Sequence, residues 1–419
     1  MASRSAQAER AAAAGRARSV RPAVRVPPGT GFWFTATAFA VLMAFGTAPT
    51  PLWPLYEARD GFGATTVTVA YAVLVIGAAF GFAALGHLSD RLGRRRVVVA
   101  ALAVAIVAAL VLAFWTGLGG LLAGRVLNGV GIGLMASTAT TYLYDLHRRA
   151  HPDRPVSAVP GVVATMANLG GLALGPLAAG IVAQWAPHPL PATQLGFAAA
   201  MAVCLVLALC TPETVDRGRR SADRPARFAL RPGAAKVFAA ACGLGFFSFA
   251  LLGLVSSLGA IILHTDLGIG SHFLAGLAPA LMFAAAAVGQ LLIGRLRPVP
   301  TAVVGAVVFP VGLALVVVAT RDPRLWLFLV AVAVAGAGAG VLFKGGVMEA
   351  GAAAQPRSRA GVLAVYFIAG YVGLGGPSIL FSVITDHASL DPVMLGFAVL
   401  LSLGAAVSAA AIARYHPEA

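Results

Sequence analysis

Twelve apolar stretches, each long enough to cross a lipid bilayer as a helix, follow one another along this chain with short polar connections between them. A span needs roughly 17–25 mostly apolar residues, and only a helix or a closed barrel satisfies its own backbone where water is absent. The stretches run approximately over 32–54, 65–86, 97–115, 119–145, 158–184, 192–211, 234–262, 273–293, 299–319, 325–348, 361–384 and 392–413. Glycines and prolines inside them are compatible with spanning, because neighbouring helices can satisfy the freed backbone groups. With 59% hydrophobic and 11% charged residues, the chain carries more apolar surface than a soluble core can hide. The reading is therefore an all-α membrane protein.

The net charge of +15 does not point to nucleic acid, because the basic residues lie almost entirely between the apolar runs. Cytoplasmic connections of membrane proteins carry the excess of Lys and Arg. With the N-terminus inside, 25 of the 30 basic residues fall on the cytoplasmic side, against only Arg59, Arg321 and Arg324 on the other. Arg125 and Lys344 lie within spans. A multi-pass protein of the plasma (inner) membrane with both termini cytoplasmic is expected. Residues 1–30 hold six arginines and no apolar stretch long enough for a secretory leader, so they read as an uncleaved basic tail against anionic lipid. Cys204, Cys210 and Cys242 lie within or at the ends of apolar runs without metal-ligand spacing and read as small buried hydrophobes.

The longest connection between spans, around 212–232, is polar, basic and proline-punctuated. It divides the chain into a tail (1–30), a first six-helix bundle (31–211), a linker (212–232), a second six-helix bundle (233–414) and a short tail (415–419). Carriers built from two such halves place the solute near the midplane between them.

The loop after the second stretch reads Gly86-His87-Leu88-Ser89-Asp90-Arg91-Leu92-Gly93-Arg94-Arg95-Arg96. A positive-inside loop explains its arginines but not an acid and two glycines in this register. The segment resembles the cytoplasmic G-x-L-x-D-R-x-G-R-[KR] signature of the major facilitator superfamily. The resemblance implies twelve transmembrane helices in two pseudo-symmetric six-helix bundles. It also implies that Asp90 and Arg94, with Gly86, Arg91 and Gly93 shaping the turn, clasp the first half to the start of span eleven near Gly361. Asp145, at the end of span four, is a candidate third member.

Two further segments support the resemblance. Span four holds Arg125-Val126-Leu127-Asn128-Gly129-Val130-Gly131, similar to the family's R-x-x-x-G-x-G pattern. A charge in hydrocarbon costs at least ~2.5–3.5 kcal/mol, so Arg125 faces the transport path, or else snorkels to the nearby membrane surface. Span five holds Gly171, Gly175, Pro176 and Gly180, similar to an antiporter-associated motif except that Ala179 replaces one glycine. Small residues four apart let helices approach closely, and Pro176 removes a backbone donor. Pro212-Glu213-Thr214 after span six also recurs in the family.

With this fold, spans one, four, seven and ten line the cavity and spans two, five, eight and eleven contribute. The candidate path residues are Arg125, Asn128, Asn168, Phe247, Gln290 and Tyr371. Aromatic residues there serve equally as packing, and the asparagines equally as bonds between helices. Lys344 reads as snorkelling to the membrane surface, and Glu349 as meeting headgroups or water. Pro49, Pro51 and Pro54 suggest an irregular end to span one that either flexes or only kinks. No Asp or Glu lies near the middle of a span, so proton coupling, if present, falls to Asp145, Asp90, Glu57 or Asp266, or to protons competing through the substrate's own charge. The expected function is secondary transport of a small, largely apolar or cationic organic solute, by efflux and with protons as the candidate counter-ion. Uptake of an organic nutrient is the alternative. No nucleotide loop, metal cluster or nucleophile constellation suggests an enzyme or a cofactor. The partners expected are the solute and the bilayer, not nucleic acid, and the working unit is a monomer.

Overall fold

The computed structural model describes residues 26–82, 89, 92–153, 157–215, 228–265, 268–294 and 296–415. Twelve long helices organise them: α1 (Pro28–Thr47), α2 (Ala64–Phe80), α3 (Arg94–Phe114), α4 (Leu118–Ala150), α5 (Val159–Trp185), α6 (Pro189–Cys210), α7 (Ala235–Thr265), α8 (His272–Leu292), α9 (Pro298–Arg321), α10 (Leu325–Ala353), α11 (Arg359–Thr385) and α12 (Leu390–Tyr415). All but α2 contain a segment long and apolar enough to cross a membrane, and α2 is an apolar helix of 17 residues. Consecutive helices run in opposite directions, so the start of α1 and the end of α12 lie on one face of the bundle. We call it the terminal face.

Each half repeats one packing plan. α1 packs on α4, α5 and α6, as α7 packs on α10, α11 and α12. α4 also packs on α2 and α3, as α10 packs on α8 and α9, and α3 meets α6 as α9 meets α12. Two helix pairs join the halves most extensively, α2 with α11 and α5 with α8. Advancing each helix by six places within the twelve exchanges these two pairs.

Small residues fix the closest approaches. A Cβ on Gly77 of α2 would collide with the Val126 carbonyl of α4, and one on Gly129 would collide with the Leu74 carbonyl of α2. One turn further along, Gly81 and Gly133 face each other, each Cβ position lying 2.8–2.9 Å from the other glycine's Cα. In the second half, Gly336 and Gly340 of α10 lie in the same way against the Met282 and Ala286 carbonyls of α8. Without a hydrophobic driving force between helices in lipid, such contact over small residues supplies much of the attraction.

Two helices depart from the regular ladder. After Thr47, Pro49, Pro51 and Pro54 remove three backbone donors; the chain makes a 3₁₀ turn (Thr50–Leu52) and then a short helix (Trp53–Asp60) closed by Gly61 at φ +69°. In α5, a wide π turn spans Met166–Gly170, and Pro176 leaves the Leu172 carbonyl without its helical donor. The Thr47 hydroxyl donates to that carbonyl at 2.9 Å.

α4 and α10 continue five residues beyond their expected ends on the terminal face. Glu349, expected at the headgroups, consequently lies inside α10 and is fully buried. In the last turn of α4, Arg149 reaches the carbonyls of Glu213 and Thr214 beyond α6, whereas Glu349 is the one polar residue in the added turn of α10. Residues 1–25, Gly86, Asp90, Arg91 and Asp266 lie outside the described residues.

Candidate functional site

A cavity lies between the halves, enclosing about 810 Å³ of empty space with its open side included. It is lined by α1, α2, α4 and α5 from the first half and α7, α8, α10 and α11 from the second. Most of the lining is apolar, with Met43, Leu74, Leu172, Leu252, Phe283 and Leu374 among it. Few polar residues line it: Thr47, Tyr71, Arg125, Asn168, Ser248, Gln290 and Tyr371.

Arg125 occupies the end of the cavity away from the terminal face, where α4 crosses the end of α1, and is fully buried. Its Nη1 donates to the Gly46 carbonyl at 3.0 Å, while Nε and Nη2 have no hydrogen-bond partner among the described residues. The guanidinium lies 5.8 Å from the ring centre of Trp53 and 5.5 Å from that of Tyr71, within cation–π range. Among the described residues, no carboxylate forms an ion pair with it. The account in which Arg125 snorkels to the membrane surface is thereby overturned: the short helix after α1 folds Trp53 over it.

At the other end the lining is aromatic. Phe82 stacks on Phe367 across the two halves with ring centres 5.2 Å apart and planes 5° from parallel. Tyr371 packs on Phe82 and Phe249, at 5.7 and 5.6 Å.

On the face opposite the termini, the halves are tied directly. Trp53 Nε1 donates to the Ser256 carbonyl at 3.3 Å. The Thr65 hydroxyl lies 3.2 Å from that of Ser382 and donates to Asp386 at 2.5 Å. Gln184 Oε1 accepts from the Ser271 hydroxyl and from the Phe273 amide.

On the terminal face, Arg94 Nε donates to Asp145 at 2.7 Å, and the Thr214 hydroxyl donates to the same carboxylate oxygen at 3.2 Å. Gly93, at φ +102°, turns the chain into α3, and any Cβ there would collide with the Glu213 carboxylate. Glu213 Oε1 accepts from the Arg94 amide at 2.9 Å and so caps α3, whose first turn has unpaired amides and a positive dipole end. Tyr142 donates to the Pro212 carbonyl at 2.6 Å, and Arg149 to the carbonyls of Glu213 and Thr214 at 2.9 and 2.7 Å.

The sequence profile of the Major Facilitator Superfamily matches residues 33–299. The chain belongs to this superfamily. Among solved structures, this facilitator resembles the xylose transporter XylE from E. coli in a partially occluded inward-open conformation. The TM-score is 0.70 at 15% identity, over 93% of this chain and 98% of that one. Two curated relatives match over shorter stretches. One is the glucose transporter GlcP of Staphylococcus epidermidis, 39% identical over 82 residues, 20% of this chain and 18% of that protein. The other is the bacillibactin exporter of Bacillus subtilis, 30% identical over 140 residues, 32% of this chain and 34% of that protein. These matches span between about a fifth and a third of the relatives' lengths. The chain is thus a multi-pass membrane protein of this superfamily.

Of the six path residues expected from sequence, Arg125, Asn168, Gln290 and Tyr371 line the cavity, with Asn168 placed there by the π turn of α5. Asn128 and Phe247 do not. Asn128 donates to the Phe45 carbonyl at 3.4 Å and joins α4 to α1, while Phe247 fills the space left by Gly404 on α12. In the motif of α5, Gly171 and Gly175 admit the Ala40 and Ala44 carbonyls of α1, and Gly180 meets Gly276 and the His272 carbonyl of α8. Pro176 approaches Gly276 through its carbonyl. Lys344, expected to snorkel, donates from Nζ to the Gln290 carbonyl at 2.6 Å, which ties α10 to the end of α8. Sequence reasoning did not assign Trp53 or Glu213. The recurring Pro212-Glu213-Thr214 was the available signal for Glu213; Trp53 gave none beyond its neighbouring prolines.

Proposed function

We propose that this facilitator exports a small organic solute by alternating access, from a cytoplasmic terminal face to the opposite side. The observation that carries the reading is the central cavity tied shut on the face away from the termini, where a solute loads from the terminal side. The basic residues support that side being cytoplasmic. In this reading the two bundles rock about the cavity, with the linker 212–232 joining them. The Arg94–Asp145 pair and the Glu213 cap brace the first half on the cytoplasmic side, and the loop bearing Gly86, Asp90 and Arg91 completes the clasp. Breaking the clasp shifts the balance between inward- and outward-facing states without removing a solute contact. Proton exchange drives export, with Asp145 the acid at the moving edge.

Direction and orientation are tested together. A cysteine replacing Ser389, in a background without Cys204, Cys210 and Cys242, reacts with an impermeant maleimide applied outside intact cells. Inverted membrane vesicles accumulate solute when acidified inside, with protons released as solute enters. Protection of position 389, or solute movement that ignores an imposed pH gradient at clamped potential, rejects the corresponding part. Uptake of a nutrient is the second reading, favoured by the 82-residue likeness to a glucose transporter; net accumulation by intact cells would establish it.

A further inference from the structure

We infer that the transported solute is an amphipathic organic anion, whose single oxyanion group docks on Arg125 while its apolar body lies toward the aromatic end of the cavity. The inference rests on the transport reading above and adds the chemical class of the solute.

The argument begins with what Arg125 lacks. A guanidinium carries five N–H donors in a planar fork, and here the Gly46 carbonyl takes one while Nε and Nη2 remain without partners in a fully buried position. An unpaired charge is among the costliest groups to bury, and the usual remedy is a facing acid. α1, which supplies the Gly46 carbonyl, contains no acid. The cation–π contacts with Trp53 and Tyr71 offset part of the cost but leave the in-plane donors open. Nε and Nη2 are the edge of the fork that binds a carboxylate, sulfonate or phosphate through two parallel hydrogen bonds.

The rest of the cavity sets what accompanies that oxyanion. Phe249, Phe343, Phe367 and Tyr371 present rings toward the terminal-face end, and Met43 and Leu74 line the cavity between. These surfaces suit an aliphatic or aromatic body and offer a second charge nothing to pair with. A cationic solute, an expectation of the sequence reading, would be repelled by Arg125 with no carboxylate among the described lining residues to offset it.

The test uses three probes of one shape and different charge: 1-naphthalenesulfonate, 1-naphthalenesulfonamide and 1-naphthylmethylammonium. Each is titrated against the purified full chain, with tryptophan quenching and thermal stabilisation as readouts. The sulfonate is expected to bind roughly tenfold or more tighter than the sulfonamide, the scale of charge-assisted hydrogen bonds, and the ammonium weakest. Arg125→Gln should bring that ratio close to one, whereas Arg125→Lys should keep part of it. If neither variant folds, the wild-type ratio alone decides. Equal binding of sulfonate and sulfonamide, or tighter binding of the ammonium, overturns the inference. Proteoliposomes separate this from the transport reading. Movement of the sulfonamide or ammonium without anion preference sinks the anion site and leaves transport standing. A sulfonate preference without any movement leaves the site standing and sinks transport of this class of solute.

Discussion

Thr47 illustrates how single residues carry this fold. Its hydroxyl satisfies a carbonyl that Pro176 orphans, at the place where α5 lies closest to α1. Thr47→Val keeps the shape and removes the donor, and should cost about 1–3 kcal/mol, the penalty of one buried unsatisfied carbonyl. Thr47→Ser should recover most of it, as read by thermal or denaturant unfolding in detergent. Glu213 acts on the same scale: Glu213→Ala exposes the first amides of α3 and should cost about 1 kcal/mol, while slowing transport through a looser terminal face. For the neighbouring pair, Asp145→Asn should lower the rate of transport and leave probe affinity within about twofold, because the residue lies outside the cavity lining. A change in affinity matching the change in rate would place Asp145 on the solute path instead. Of these partnerships only that of Asp145 with Arg94 was anticipated from the sequence, through the family resemblance. Thr47 and Leu172 are 125 residues apart, and Glu213 reaches its amide across 119, so no local pattern links them.

At the scale of helices, the seam between α2 and α4 rests on backbone meeting backbone. A methyl group at Gly77 or Gly129 meets a carbonyl of the facing helix, which has no side chain to rotate away. Gly77→Ala and Gly129→Ala should therefore each greatly reduce folded protein, measured by monodisperse yield and thermal midpoint. Gly196→Ala on α6, where a Cβ would meet nothing within 4 Å, should be neutral. The number and order of the helices could be read from sequence, because length and apolarity alone define a span. Their rotation could not. In water, a helix marks its buried side by a stripe of apolar residues, but in lipid both the outward and inward sides are apolar and the stripe disappears. That is why Asn128 and Asn168 read alike in sequence yet one bonds α4 to α1 and the other lines the cavity. Helix ends were misjudged for a related reason. The last turn of α4, with His147, Arg148 and Arg149, looks like loop to a hydropathy argument, as does α10 beyond Glu349, yet both remain helical.

For the whole molecule, the closed face is held by a few hydrogen bonds between the halves, and covalent closure there should stop the cycle. Cysteines replacing Thr65 and Ser382, whose hydroxyls lie 3.2 Å apart, should cross-link on oxidation, abolish transport and restore it on reduction. Transport that persists in the cross-linked protein would mean that this face need not open. Arg125 carries a consequence of a different kind. Water in the open half of an alternating-access carrier brings the electrical potential of that side to the site, so the fixed charge of Arg125 senses whichever compartment it faces. With an inside-negative membrane, the empty carrier is favoured facing inward by up to ~2.3 kcal/mol per 100 mV. A docked anion cancels the charge, and the loaded carrier changes face without sensing the voltage. The resting potential would then hold anion-free carriers ready to load from within, and their return, carrying the exchanged proton, would be the electrogenic step. Capacitive currents on solid-supported membranes should accordingly appear without solute and shrink as the anion saturates.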